Sequence, residues 1–234
     1  MDNVSHPSYK RQISASKPTQ LSWSDYKALT NRYYQEVETY DWTDTADNLR
    51  GPESFLHKYR EWRLLKLLNP YLANNPVALE VGCGTGLILR HLPKGSVGLD
   101  LNPRNLEHLK KYVPGAKGQL CDVEEGIPYP DAAFDLVVAA EVLEHLIYPE
   151  KVVGEIYRVL KPGGVLVGSV PQRSLFWKLR FLSITYHSNN RRYKIKEPFH
   201  NEMSVEELND LLSTSFSKIK IYPTVTNIFF VASK

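Results

Sequence analysis

A glycine-rich turn at residues 78–86 places the strongest single constraint on how this chain folds. The segment reads Ala-Leu-Glu-Val-Gly-Cys-Gly-Thr-Gly, so an apolar run leads directly into three glycines at alternate positions. Glycine permits a tight turn and lets the backbone approach a ligand without a Cβ in the way. With a helix expected at residues 85–91, the pattern predicts a strand–turn–helix unit whose helix amides could bind an anionic group.

The spacing of the glycines separates the known kinds of glycine loop. Leu87 stands where a dinucleotide-binding fingerprint has its third glycine. The Gly-Lys-Ser/Thr ending of a phosphate-binding P-loop is also missing. An ordinary strand–helix turn stays open as the alternative.

The rest of the chain alternates between short apolar runs and helical segments. Helices are expected at 103–112, 149–160 and 204–213, and strands at 77–81, 97–101, 116–120, 134–140, 165–170, 218–222 and 228–232. Strands separated by helices indicate a parallel sheet covered on both faces. The last two strands are joined by too few residues for a parallel crossover, so the final strand is expected to be antiparallel.

Two acidic residues end consecutive predicted strands. Asp100 could accept hydrogen bonds from both hydroxyls of a ribose, or it could cap the next helix. Asp122 could accept from an exocyclic adenine amine, with the backbone amide of Val123 facing a ring nitrogen. Open α/β sheets bind ligands in the crevice at these strand ends, so these two acids and Glu80 of the first strand are expected to face one crevice.

Taken together, these segments resemble the motifs of class I S-adenosylmethionine-dependent methyltransferases. The resemblance runs from Pro76 to Pro171, and the subgroup resembled is type 11, which includes ubiquinone- and menaquinone-pathway enzymes. The matching segments occur in the family's order at 80–86, 98–100, 121–123, 127–131, 134–138, 141–146 and 160–164.

The resemblance implies a Rossmann-like α/β fold with a seven-stranded, mostly parallel sheet, an antiparallel last strand, helices on both faces and an N-terminal helical cap. It implies S-adenosyl-L-methionine as cofactor and methyl transfer by in-line displacement to a small-molecule acceptor, whose reacting atom is undetermined. The cofactor contacts it implies are Arg60, Glu80, Gly82, Cys83, Gly84, Gly86, Asp100, Leu101, Cys121, Asp122, Val123, Ala140 and Glu141.

Three of these residues have specific expectations. Arg60 is expected either to pair with the methionine carboxylate or to face solvent. Glu80 is expected to orient the glycine loop or the methionine ammonium. Cys83 is expected to be a small residue in the loop and not a nucleophile.

The organisation along the chain follows from the same pattern. Residues 1–20 are expected to form a disordered leader, 21–75 the helical cap, and 76–234 the methyltransferase domain, with 171–200 as a lid-like insert over the acceptor site. Within the cap, residues 41–52 form a polar stretch. A helix at 53–71 has its apolar positions at Phe55, Tyr59, Trp62, Leu65 and Leu68.

A general base is needed only if the acceptor begins protonated, as a hydroxyl does. The candidates are His145, which follows the fourth strand, and His200, which precedes the last helix. The alternatives are a local structural role for the Glu144–His145 pair and a surface position near a helix cap for His200.

The composition limits the kinds of partner that are expected for this chain. The formal charge of +3 is too small to favour nucleic acid, and two cysteines, Cys83 and Cys121, suggest neither a disulfide framework nor a metal cluster. No signal peptide or membrane span is recognised, so a cytoplasmic location is expected. The aromatic and basic insert at 171–200 could contact a membrane surface or form a packed lid, and the oligomeric state stays open.

Two other functions remain as alternatives. An RNA methyltransferase would carry the same motifs, but no appended RNA-binding module is recognised. A non-catalytic subunit with this fold would be expected to have lost loop glycines or acids, and those residues are present here.

Overall fold

The computed structural model describes residues 22–36, 41–49, 53–173 and 201–234. The helices are α1 Trp23–Glu36, α2 Trp42–Asp47, α3 Glu53–Leu72, α4 Pro103–Tyr112, α5 Pro149–Val159 and α6 Val205–Ser213. The strands are β1 Ala78–Val81, β2 Val97–Asp100, β3 Lys117–Leu120, β4 Phe134–Ala140, β5 Leu160–Pro171, β6 Lys218–Pro223 and β7 Asn227–Ser233. The leader predicted at 1–20 and residues 174–200 of the predicted insert lie outside the described residues.

All seven strands form one sheet in the order β3-β2-β1-β4-β5-β7-β6. The first five strands are parallel, and β7 runs antiparallel to both β5 and β6. The predicted fold class is therefore confirmed, including the antiparallel final strand. The interior strand β1 is buried along its whole length because helices cover both faces of the sheet.

Two buried clusters fill the space between the sheet and its helices. One face packs against α5 and α6, with Val153, Ile156, Leu208 and Leu211 among its buried residues. The other face packs against α3 and α4 through side chains that include Leu64 and Leu109. This layering leaves the carboxyl ends of β1 to β5 along one edge, where the glycine loop lies.

The prediction of a helix at residues 85–91 is wrong. Only a 3₁₀ turn over Leu89–His91 forms there. Gly86 has a φ of +93°, which interrupts a helix, and the side chains of Leu87, Ile88 and Leu89 are all buried. Three consecutive buried side chains are typical of an irregular segment inside the core, because a surface helix buries only one of its faces.

The residues predicted as a polar stretch at 41–52 include a short helix that the sequence reading missed. Asp41 caps α2 by accepting a hydrogen bond from the Asp44 amide. The helix buries Thr43, Thr45 and Ala46.

The face that α3 presents to the core also differs from expectation. Phe55, Tyr59 and Trp62, taken as apolar positions of this helix, are 68%, 38% and 48% exposed, whereas Leu68 is fully buried. The buried face instead includes Glu61, which binds Arg90 and His91. Because these partners satisfy the Glu61 carboxylate, a charged residue occupies the core face and the aromatic residues point outward.

Across the described part of the chain, no helix is both long enough and apolar enough to cross a lipid bilayer.

Candidate active site

The glycine loop is held by a hydrogen bond from the end of the neighbouring strand. The Gly84 amide donates to Asp100 Oδ2 at 2.8 Å. The other oxygen, Asp100 Oδ1, accepts from the Asn102 amide at 2.8 Å and from the Asn105 side chain at 2.9 Å. The cap of α4 is Asn102, which accepts from the Arg104 amide, so the cap role left open for Asp100 belongs to another residue.

Each loop glycine adopts a positive φ: 67° at Gly82, 51° at Gly84 and 93° at Gly86. A Cβ at Gly82 would lie 2.6 Å from Val142 Cγ2, and one at Gly86 would lie 2.6 Å from a methyl group of Leu109. Packing therefore requires glycine at these two positions. A Cβ at Gly84 would meet the ring of Trp42 only at 3.4 Å, so Gly84 lies beneath a side chain of α2.

Helix α2 is tied to the loop by a pair of threonines. The side chain of Thr43 lies 2.9 Å from the Thr85 hydroxyl, and its hydroxyl also donates to the Thr85 carbonyl at 3.3 Å. Sequence reasoning missed Trp42 and Thr43. The available signal was a tryptophan directly after a capping aspartate, within a stretch that otherwise reads as polar.

Glu80 is a buried carboxyl with an unused oxygen. It is 2% exposed, and it accepts a hydrogen bond from the Leu89 amide. Its Oε2 finds no hydrogen-bond partner among the described residues. Burial, with the nearby Asp100 carboxylate, raises the pKa of Glu80 well above its ordinary value. A buried unpaired carboxyl oxygen is costly, so this position fits a ligand that brings a cationic hydrogen-bond donor.

At the end of β3, helix α1 covers the second predicted cofactor acid. Asp122 Oδ2 accepts from Asn31 Nδ2 at 2.7 Å, and Lys27 Nζ lies 3.4 Å from the same oxygen. Asp122 Oδ1 accepts from the Glu124 amide at 3.0 Å. The predicted adenine acceptor is thus already engaged by the N-terminal helix, which sequence reasoning did not foresee.

The two cysteines lie beside these acids as protonated thiols. Burial raises the pKa of Cys83 well above its ordinary value, and it raises the pKa of Cys121 to about 11. Neither is therefore activated as a thiolate. The other predicted contacts are half-buried at Leu101 and Ala140 and buried at Val123.

At the end of β4 the structure brings two predicted site residues together. Arg60 Nη1 lies 2.7 Å from Glu141 Oε2. Glu141 also accepts from the Ser169 hydroxyl at 2.6 Å and from Asn227 Nδ2 at 3.0 Å, and its φ is +54°. Ser169 and Asn227 were missed, although a polar residue inside each of two apolar strands is a recognisable signal.

The candidate base His145 contacts the cap and its own neighbour. Its Nδ1 lies 2.8 Å from the Tyr34 hydroxyl, and its Nε2 lies 3.7 Å from Glu144 Oε1. Glu144 is only 1% exposed, and burial raises its pKa to about 8. His200 lies outside the described residues. Its neighbour Asn201 donates its amide to the Glu144 carbonyl at 2.9 Å.

Within the described ranges, no group of three or more histidine, cysteine or acidic side chains is arranged to hold a metal ion. The polar groups at this edge include instead a fixed glycine loop, the acids at the ends of β2 and β3, and the buried unpaired carboxyl oxygen of Glu80. Together with the sheet order, they define the class I architecture of Rossmann-like methyltransferases.

Comparison with known proteins gives the family. Residues 79–168 match the family model described as a methyltransferase domain. A probable S-adenosylmethionine-dependent methyltransferase of Mycolicibacterium smegmatis is 33% identical over 141 residues, which are 58% of this chain and 50% of that protein. The mitochondrial ubiquinone biosynthesis O-methyltransferase of Mus musculus is 31% identical over 174 residues, which are 68% of this chain and 45% of that protein. The chain thus spans about half the length of these relatives.

Solved structures show the same fold. An S-adenosylmethionine-dependent methyltransferase from Thermotoga maritima superposes with a TM-score of 0.60 at 22% identity, covering 82% of this chain and 99% of that one. Residues 79–168 thus belong to a class I S-adenosylmethionine-dependent methyltransferase domain of the type 11 group. The family and the fold imply S-adenosyl-L-methionine as its cofactor, and the unpaired oxygen of Glu80 fits the ammonium of that molecule.

Proposed function

We propose that this chain binds S-adenosyl-L-methionine along the carboxyl edge of its sheet and transfers the methyl group to a small-molecule acceptor. The observation that carries the proposal is the 2.8 Å hydrogen bond from the Gly84 amide to Asp100. This bond holds the glycine loop against the carboxylate that is predicted to accept the ribose hydroxyls. The loop contacts and the ribose contacts of the cofactor would therefore come from one rigid unit.

Each cofactor role falls to a residue of this edge. Asp100 accepts from the ribose, Asp122 and the Val123 amide bind the adenine, and Glu80 faces the methionine ammonium. Arg60 is bound to Glu141, so the pair acts as a unit that orders the end of β4 beside the methionine carboxylate. The remaining contacts come from the loop backbone at 82–86 and from the flanking residues Leu101, Cys121 and Ala140.

The cofactor supplies an activated methyl on a sulfonium, and the chain supplies alignment and exclusion of water. Because that sulfonium would lose its positive charge in the transfer, strongly anionic groups of the chain beside it would favour the ground state. Holding donor and acceptor in line can contribute up to roughly 7–11 kcal/mol. Helices α1 and α2, which already contact Asp122 and Thr85, serve this purpose by covering the edge.

For an acceptor that begins protonated, His145 is the proposed general base. It is half-buried beside the end of β4, and its Nε2 lies 3.7 Å from Glu144 Oε1. Tyr34 contacts Nδ1 from α1, so the cap and the base are linked. His200 is a second candidate of the same kind, on sequence grounds alone. This arrangement supports a hydroxyl-bearing acceptor as the first class to test.

The acceptor is proposed to be selected by the cap and by the insert at 171–200, because every predicted cofactor residue except Arg60 lies between residues 80 and 141. One relative is named for ubiquinone biosynthesis and acts on an oxygen, which makes phenols and quinols the leading acceptor class. The cytoplasmic location expected from the sequence stays a prediction.

A methyl-transfer screen tests the proposal. Purified protein is incubated with methyl-labelled S-adenosylmethionine and pooled phenols, quinols, amines and lipids, and in a parallel reaction with RNA, with His145→Gln and Asp100→Ala as matched variants. The proposal predicts label in a small-molecule pool, and loss of that label in Asp100→Ala at a sub-saturating cofactor concentration. Labelling of RNA with no labelled small molecule would contradict it.

A further inference from the structure

The outward face of α3 is aromatic, which is unusual for a surface helix. Phe55, Tyr59, Trp62 and Lys66 follow one another at spacings of four, three and four, and all four side chains are exposed. The ring centroids of Tyr59 and Trp62 are 6.0 Å apart, and Lys66 Nζ lies 4.0 Å from the Trp62 ring centroid. Surface helices normally present polar residues at such positions.

The edge strand β6 extends this face with lysines. Tyr222 pairs directly with Phe229, Lys220 with Val231, and Lys218 with Ser233. Directly paired residues of antiparallel strands point to the same side of the sheet. Phe229 and Val231 belong to the cluster beneath α3, so the side chains of Lys218, Lys220 and Tyr222 lie on the α3 side and are exposed.

These seven residues are here called the aromatic–basic face: Phe55, Tyr59, Trp62 and Lys66 of α3, and Lys218, Lys220 and Tyr222 of β6. Within α3 the side chain of Glu61 is buried, and β6 contains no acidic residue. We propose that the aromatic–basic face docks on the headgroup region of an anionic lipid bilayer. Tryptophan and tyrosine prefer the interface between lipid and water, and lysine is attracted to anionic headgroups.

The shape and charge of the face favour a bilayer over other occupants. In a two-fold contact with a second copy, the face would meet itself, and its three lysines would find no acidic partner among the seven residues that form it. Single-stranded nucleic acid needs a basic groove that follows its backbone, whereas these rings stand on the outside of a helix. A bilayer surface accommodates a convex amphipathic helix with basic flanks.

The aromatic–basic face also adjoins the candidate active site. The rings of Tyr59 and Phe229 are 6.5 Å apart, and Phe229 pairs in the sheet with Ser169, whose hydroxyl binds Glu141. A protein docked through this face would hold the carboxyl edge of its sheet close to the bilayer. An acceptor dissolved in the lipid would then need to move only a short distance to the site.

Vesicle sedimentation tests the docking, with the full chain and two kinds of vesicle: phosphatidylcholine alone, and phosphatidylcholine with 30% phosphatidylserine. We expect binding to the anionic vesicles, weak binding to the neutral ones, and a loss of anionic binding when salt is raised to 0.5 M. Tyr59→Ser with Trp62→Ser, and separately the triple change Lys66→Gln, Lys218→Gln and Lys220→Gln, should each lower the vesicle partition coefficient at least tenfold.

The control removes the same number of charges elsewhere. Lys94, Lys110 and Lys117 are exposed towards the opposite edge of the sheet, and their triple change to glutamine should leave vesicle binding within twofold of the parent. Equal losses in the two lysine triples would overturn the proposal, because binding would then follow net charge alone. Absence of vesicle binding would also overturn the proposal. So would a protein that binds single-stranded RNA more tightly than vesicles, or one that forms a dimer which Trp62→Ser breaks. Cofactor affinity, measured in parallel, separates this result from the proposed function.

Discussion

Arg60 and Glu141 form an ion pair, with 2.7 Å between Nη1 and Oε2, that joins the cap helix α3 to the end of β4. Each side chain is 16% exposed, so the pair is largely shielded from water. Because Ser169 and Asn227 also bind Glu141, the carboxylate is fixed on three sides. The cap is therefore attached to the candidate active site through a charged contact and not through apolar packing alone.

The first prediction follows from this pair. Arg60→Ala and Glu141→Gln should each weaken binding of S-adenosylmethionine, and the double variant should be little worse than either, because both changes break one unit. Calorimetric titration of the three variants gives the coupling free energy, which we expect to be about 1–2 kcal/mol. Additive losses would instead mean that Arg60 and Glu141 contact the cofactor independently.

The second prediction concerns Asn31 and Asp122. Asn31 occupies the oxygen of Asp122 that an adenine amine would need, at 2.7 Å. Asp122→Ala should weaken cofactor binding, whereas Asn31→Ala should leave the affinity unchanged or increase it, because it removes a competing donor. Dissociation constants of the two variants decide the matter. If Asn31→Ala weakens binding as much as Asp122→Ala, the two residues act together and the adenine assignment is wrong.

The third prediction separates catalysis by His145 from its contact with Tyr34. If His145 is the base, His145→Gln should lower kcat at least a hundredfold and remove the acidic limb of the pH–rate profile. Tyr34→Phe, which removes only the hydroxyl 2.8 Å from Nδ1, should shift that limb while keeping most of the rate. Equal rates and unchanged pH profiles in both variants would assign the histidine a structural role.

The fourth prediction is a pH dependence of folding stability from Glu144. The folded protein holds this proton up to about pH 8, whereas an unfolded chain releases it near its ordinary value of 4.5. The folded state therefore binds more protons between these values, and stability is expected to fall as the pH rises from 5 to 8. Glu144→Gln stays neutral, so its stability relative to the parent should increase across that window, by a few kcal/mol at most since one pKa unit is about 1.4 kcal/mol.

Urea unfolding of parent and Glu144→Gln at pH 5, 6, 7 and 8 measures this difference. Glu107→Gln, at an exposed position of α4, serves as the control and should show no pH-dependent difference. A constant difference between parent and Glu144→Gln at all four values would show that burial does not retain the proton.

Much of the fold was predictable from the sequence because its signals are local. The glycine loop and the apolar runs that become β1, β2 and β4 each depend on neighbouring residues. The short link between β6 and β7 likewise predicted an antiparallel pair. Asp100 was predicted as a site residue because acids at the ends of parallel strands meet at one edge, whatever lies between them in sequence.

The features that the sequence did not predict depend on contacts between residues distant in the sequence. The exposed aromatic residues of α3 share the spacing of a buried stripe, whereas the face that turns inward carries Glu61, which is paired with the distant Arg90. Asn31 contacts Asp122, and Tyr34 contacts His145, across separations of 91 and 111 residues in the sequence. No local sequence pattern indicates such contacts. The sequence therefore predicted the acids at the strand ends but not the cap residues that cover them.

Calorimetric titration of the parent and of Asp100→Ala with S-adenosylmethionine, with NAD as the comparison ligand, tests the central claim most directly. Asp100 is predicted to hold two ribose hydroxyls, and hydrogen bonds to a charged group contribute about 1.5–3 kcal/mol each. We expect the parent to bind S-adenosylmethionine and not NAD, and Asp100→Ala, folded by circular dichroism, to bind at least tenfold more weakly. Tighter binding of NAD, or an unchanged dissociation constant in folded Asp100→Ala, would contradict the account.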